Sequence, residues 1–132
     1  MKRKQKRAYR YRFYPTDQQM LLLARTFGCV RFVYNWALRL RRDVYSQEQK
    51  YISYRETSAL LTALKQQEDY QWLHEVSCVP LQQALRHLDH AFRNFFAGRA
   101  EYPVFKKKRQ EQSAEYTASA FTWDGTRLTL AK

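Results

Sequence analysis

Residues 7–14, Arg-Ala-Tyr-Arg-Tyr-Arg-Phe-Tyr, alternate with a period of two. Tyr9, Tyr11 and Phe13 fall on one face, and Ala8, Arg10 and Arg12 on the other. That pattern predicts a strand with one packed side and one basic side, ended by Pro15, which cannot donate to a ladder. The period then changes. Thr16-Asp17-Gln18-Gln19 has the form of a capping box, in which hydroxyl and amide each satisfy an orphan backbone group. A helix is expected from there to about Phe27, with Gly28 loosening or bending it. Helical spacing resumes through Val30, Val33, Tyr34, Ala37, Leu40 and Val44, with Arg31, Asn35, Arg39 and Arg42 on a neighbouring face. Ser53-Tyr54-Arg55-Glu56 is a second capping box that opens a further helix, with Leu60, Leu61 and Leu64 expected inward. Ser77 begins the last long helix, where Pro80 is tolerated in the first turn. Its apolar stripe is Leu81, Leu85, Leu88, Phe92, Phe95 and Phe96.

Past Gly98 the helical pattern stops. Tyr102-Pro103-Val104-Phe105 leads into four consecutive basic residues, and Phe121 and Trp123 then alternate into Asp124-Gly125, a two-residue hairpin signal. A turn at those two residues sets Phe121 opposite Leu128, on the same side as Trp123 and Leu130. This hairpin and the first strand each have one apolar face, so a shared small sheet is expected, with the helices inserted between its parts. The fold class is α+β, mainly α. A sheet of three or four strands stopping at Lys132 keeps an open edge, which predicts self-association, a covering partner or a continuing chain.

Composition narrows the function. The chain has 132 residues, 45% of them hydrophobic and 16% aromatic, with three Gly and three Pro, which excludes a disordered tail and long flexible linkers. Twenty-four Lys and Arg face 12 Asp and Glu, a net charge of +12. Self-repulsion of that size is usually offset by a polyanion. The charge is clustered: Lys2, Arg3, Lys4, Lys6, Arg7, Arg10 and Arg12; then Arg39, Arg41 and Arg42; then Lys106, Lys107, Lys108 and Arg109. Three such runs favour a phosphate track over a generally solvated surface. Cys29 and Cys78 have no paired spacing and read as reduced core residues of a cytoplasmic protein, nucleoid-associated if it binds DNA. No apolar stretch is long enough to span a membrane.

Residues that could carry catalysis are few. His87 and His90 are three apart on one helix, but a third metal ligand has no candidate, and exposed helical histidines account for them. Asp43, Glu56, Glu68, Asp69, Glu75 and Asp89 are scattered over helices, away from the strand ends that two-metal chemistry uses. No glycine-rich phosphate loop or nucleophile elbow occurs, so neither catalysis, cofactor nor metal is expected. Tyrosines interleaved with basic groups are the stronger signal, because rings stack bases while cations neutralise phosphates. Tyr54 stands out among them, following a helix N-cap from which a side chain can project into a groove. Helices around Gly28 could also mimic a DNA-reading helix-turn-helix, although Phe32, Val33, Tyr34 and Trp36 leave little polar face there.

The order of the segments carries a resemblance. Tyr14-Pro15-Thr16 is followed by Gly28-Cys29-Val30-Arg31-Phe32-Val33-Tyr34-Asn35-Trp36, Leu81-Gln82-Gln83-Ala84-Leu85, Ala91-Phe92-Arg93-Asn94-Phe95-Phe96 and Tyr102-Pro103-Val104-Phe105-Lys106-Lys107-Lys108-Arg109. This series resembles the opening of the TnpB (OrfB) family of transposon proteins and is similar to the start of small type V CRISPR effectors. The resemblance implies a wedge-like β domain split between residues 1–14 and 103–132, with residues 15–102 as an inserted helical recognition lobe or "helix-turn-helix" region. It implies nucleic-acid partners, structured guide-type RNA and target-adjacent duplex DNA, with base pairing supplying the remaining specificity. Tyr54 and Gln82 match the family's motif-reading tyrosine and glutamine; a glutamine can bond an adenine edge through both its groups. Arg7, Arg10, Arg12, Arg31, Arg39, Arg42 and residues 106–109 would follow phosphates. Two positions depart from the pattern: Cys78 stands where a basic residue is frequent, and Ala114 where an aromatic is. The family's RuvC-like acids and zinc-binding cysteines lie beyond Lys132, so the expectation is binding without cleavage. A stand-alone DNA-binding transcriptional regulator and an inert remnant of a mobile element are the alternatives.

Overall fold

The computed structural model describes residues 12–109, 111–123 and 126–131. Helix α1 (Asp17–Glu48) starts at the predicted capping box: Gln19 N–H donates to Thr16 Oγ1 at 3.2 Å, and Thr16 N–H donates to Gln19 Oε1 at 2.9 Å. Its first two turns stand clear of the core, leaving Met20, Leu21 and Leu22 exposed. From Thr26 onward a stripe of Cys29, Val30, Val33, Tyr34, Ala37 and Leu38 is buried. The helix expected to end near Phe27 instead continues through Gly28 for 32 residues in all. A glycine costs a helix only about 1 kcal/mol relative to alanine. Burial of the stripe that follows outweighs that.

Helix α2 (Tyr54–Lys65) is capped by Ser53, whose Oγ accepts from Glu56 N–H at 3.3 Å. Thr57, Leu61 and Leu64 form its buried stripe, whereas Leu60, expected inward, is exposed. The i, i+4, i+7 spacing of the buried three defines the inward face, and Leu60 is turned about 100° from Leu61. A 3₁₀ segment at Glu68–Glu75 follows, which the hydrophobic pattern had not disclosed. It buries Leu73 and sets Trp72 edge-on to Phe32, ring centres 4.9 Å apart.

Helix α3 (Cys78–Phe96) begins at Ser77, whose Oγ accepts from Val79 N–H at 3.2 Å. Pro80 sits in the first turn, where its missing N–H is no loss. Leu81, Ala84, Leu85, Leu88 and Phe92 are buried as α3 packs along α1 and α2. The expected stripe fades at its end, with Phe96 57% exposed. Gly98, at φ 76°, closes the helix in a left-handed cap, with Gly98 N–H on Phe95 O at 3.0 Å and Arg99 N–H on Asn94 O at 2.8 Å. Cys29 is buried as expected, but Cys78, the first residue of α3, is exposed.

One ion pair lies inside the helical core. Arg41 Nη1 meets Asp89 Oδ1 at 3.2 Å, both side chains buried, and Arg93 reaches Asp89 Oδ2 at 3.0 Å from the surface. The Arg41 guanidinium lies 4.6 Å from the Tyr51 ring centre and 4.3 Å from that of Phe92. The second basic cluster is therefore split: Arg39 and Arg42 face solvent, while Arg41 belongs to the core.

Strands β1 (Phe121–Trp123) and β2 (Leu128–Leu130) form an antiparallel pair. Their register is Phe121 with Leu130 and Trp123 with Leu128, not Phe121 with Leu128. Four residues, not two, therefore connect them. A slip of two preserves which side each residue faces, so Phe121, Trp123, Leu128 and Leu130 still share one side. That side is largely open, with Phe121, Trp123 and Leu128 exposed. The expected first strand lies mostly outside the described residues, including Arg7, Tyr9, Arg10 and Tyr11. Its described end, residues 12–14, belongs to no strand, and Phe13, expected to pack, is 55% exposed. Among the described residues the sheet has two strands, and no helix is long and apolar enough to cross a membrane.

Candidate nucleic-acid interface

Two groups of polar side chains stand out, on different helices. The first is built on α1. Arg31, Asn35, Arg39 and Arg42 recur at three- and four-residue spacing and so share one face. Asn35 bonds the backbone of Lys106 in both directions: Lys106 N–H donates to Asn35 Oδ1 at 2.7 Å, and Asn35 Nδ2 donates to Lys106 O at 2.9 Å. A side-chain amide here copies the pairing of a neighbouring strand, across a separation of 71 residues. The clamp sets Lys106, the start of the basic run, beside the arginine face. Cation–π contacts reinforce the placement, with Lys106 Nζ 4.6 Å from the Tyr34 ring centre and the Arg42 guanidinium 5.0 Å from that of Phe105. Arg31, Lys106, Lys107, Glu111 and Ser113 line one shallow recess.

The electrostatics of this face are lopsided. Asp43 lies 3.8 Å from Arg39 and 3.9 Å from Arg42, in exposed pairs that water screens and that contribute little. Residues 106–109 are all exposed. Burial pushes the Tyr34 hydroxyl up from its ordinary value, so the ring beneath Lys106 stays neutral.

The second group joins α2 to α3. Tyr54, the first residue of α2, is half-buried and packs against the core edge. Its hydroxyl donates to Gln82 Oε1 at 3.1 Å, and the Arg86 guanidinium lies 4.4 Å over its ring. Ser58, one turn along α2, donates to the same Gln82 Oε1 at 2.9 Å. Cys78, Gln82 and Arg86 recur at four-residue intervals on α3, so the exposed thiol occupies the next turn of this face. Ala114, the other departure from the family pattern, packs against the core.

The structure thus brings Arg31, Arg39 and Arg42 onto one face of α1 with Lys106 clamped beside it, and joins Tyr54 of α2 to Gln82 of α3. Arg12 is exposed, while Arg7 and Arg10 lie outside the described residues. Sequence reasoning named Asn35 only as part of a helix face and missed Ser58 and Arg86. Spacing along each helix could have placed Ser58 beside Tyr54, and Arg86 beside Gln82. Nothing local could have paired Asn35 with Lys106. His87, considered as a ligand, has Nε2 3.1 Å from Glu115 Oε2 at the surface.

Residues 1–50 match the helix-turn-helix domain of the OrfB/IS605 type, and the described part of that range contains the single helix α1. A Streptomyces pristinaespiralis protein, provisionally named RNA-guided DNA endonuclease, is 59% identical over 128 residues, covering 96% of this chain and 32% of that protein. The Escherichia coli K12 protein InsQ, provisionally named likewise, is 37% identical over 116 residues, covering 88% of this chain and 28% of InsQ. The chain therefore spans about a third of the length of these two relatives. A Salmonella dublin protein named virulence protein VsdF is 34% identical over 111 residues, covering 77% of this chain and 93% of VsdF. On these matches the chain belongs to the TnpB (OrfB) family.

Proposed function

We propose that this chain grips nucleic acid without cutting it, holding phosphates along α1 and the basic run and reading a short duplex motif with Tyr54 and Gln82. Its partners are structured RNA of the guide type and the duplex beside a target, as the relatives' RNA-guided naming suggests. The carrying observation is the two-way bond between Asn35 and Lys106, which fixes the first of four consecutive cations against an arginine-bearing helix face. Loose basic tails neutralise phosphates without such a fixture; a backbone clamp is what fixes where the charges stand relative to one another. VsdF, almost wholly covered by the match, supports treating this region as a unit in its own right.

The test is direct binding at low ionic strength to structured RNA and to duplex DNA, together with sequencing of any nucleic acid that copurifies. Submicromolar binding and a recurrent recovered sequence are expected, with no strand scission in magnesium. Failure to bind either polymer would contradict the proposal. A second reading, a DNA-binding regulator dimerising through the hairpin, draws on the exposed Phe121, Trp123 and Leu128. A dimer in sedimentation, with palindromic protection of DNA and no bound RNA, would favour it.

A further inference from the structure

The geometry points to Gln82 as a reader that donates but does not accept, held in that state by Ser58, so that the base edge it meets presents hydrogen-bond acceptors. This rests on the proposal that Tyr54 and Gln82 face bases, and it departs from the bidentate adenine contact that the family resemblance suggested.

An amide oxygen has two lone pairs. In Gln82 both are taken, by Tyr54 Oη at 3.1 Å and Ser58 Oγ at 2.9 Å. The Arg86 guanidinium over the Tyr54 ring carries only donors, so it offers the tyrosine hydroxyl proton no acceptor, and Gln82 Oε1 supplies one. The amide oxygen is thereby engaged from α2, and the two Nε2 N–H groups have no partner among the described residues. Gln82 is half-buried.

Bidentate recognition of adenine needs one donor, to N7, and one acceptor, from the N6 amino group. The acceptor is already engaged. The edges that fit two donors are guanine, through N7 and O6, and thymine, through O4; adenine is left with N7 alone, and the cytosine N4 amino group is refused. Ser58 is the specificity-determining residue in this scheme, because removing its hydroxyl vacates one lone pair without touching the platform's ring or cation. Tyr54 has two roles, presenting a ring and pinning the amide, and Tyr54→Phe separates them.

The experiment first selects preferred duplexes from a randomised library with the 132-residue chain, then places base analogues at each position of the selected motif. At the Gln82 position, a 7-deaza purine, or a thymine analogue lacking O4, should weaken binding about fivefold, the loss of one hydrogen bond. If that position is adenine, deleting its 6-amino group should cost less than twofold. Gln82→Ala should abolish the analogue effect, and Ser58→Ala should introduce a dependence on the 6-amino group. A strong 6-amino dependence in the unaltered chain, or identical analogue profiles for it and Ser58→Ala, overturns the inference while leaving the motif-reading proposal standing. Absence of any duplex preference, or a preference unchanged by Gln82→Ala, overturns the motif-reading proposal and this inference with it.

Discussion

The α1 face and the α2–α3 platform both combine cations with tyrosines, yet they are organised oppositely. On α1 the charges outnumber the hydrogen-bonding side chains, and one amide, Asn35, is spent on holding backbone in place. On the platform a single cation, Arg86, sits on a ring while two hydroxyls engage one amide oxygen. A surface of many solvent-facing cations tolerates any sequence, because every nucleotide carries a phosphate. A surface that fixes the direction of one amide discriminates. On the proposed reading, the contrast separates affinity from specificity within one small chain.

The most damaging change lies beneath both surfaces. Asp89→Ala leaves Arg41 charged and unpaired between Tyr51 and Phe92, where its Nε and Nη2 already have no hydrogen-bond partner. Stability should fall by about 3–5 kcal/mol, measured by urea unfolding, because the desolvation of Arg41 is then uncompensated. Both binding functions should be lost together. If Asp89→Ala unfolds at the original midpoint, the helical pair is not held as described.

Next in size is the basic run. Replacing residues 106–109 with glutamine removes four cations, so the slope of log affinity against log salt should become shallower by about three to four. Motif preference, measured as a ratio between duplexes, should survive. A change in preference larger than the change in general affinity would merge the two surfaces into one.

Asn35→Ala sharpens the same comparison by keeping every charge. Loss of the clamp should weaken binding about fivefold to tenfold, with the salt slope nearly unchanged, since the cations persist but are no longer placed. Equal affinity would mean that charge alone suffices.

The smallest effect concerns the thiols. Cys78 should react with a disulfide reagent in the folded protein, while Cys29 should wait for unfolding. Burial, and secondly the charge of Glu75, push the Cys29 thiol up. A group whose folded value is raised contributes stability below its unfolded value and loses it as pH rises. Urea midpoints should therefore slip slightly above the ordinary thiol range, and Cys29→Ala should flatten that decline.

The helices were legible because their signals are local. Thr16 with Gln19, Ser53 and Ser77 mark starts, and the stripes through Val33 and Leu85 mark inward faces. The 3₁₀ segment at Glu68–Glu75 was not, since it buries one leucine and leaves no period to detect. Asp124-Gly125 suggested a tighter hairpin than the register of Trp123 with Leu128 permits, because turn propensity does not weigh pairing further along the strands. At the candidate site, residue types and charge were readable and the joints were not. Asn35 meets Lys106 across 71 residues, and Ser58 meets Gln82 across 24. Composition also counted Arg41 with its exposed neighbours, although in the fold it is buried and paired with Asp89 across 48 residues.

The central claim, a placed array of cations holding a phosphate backbone, is tested most directly by titrating one structured RNA and one duplex across ionic strength. Contact with about six phosphates predicts a slope near −5 on duplex DNA and about a thousandfold loss between 50 and 200 mM salt. A slope near zero, with binding intact, would contradict it.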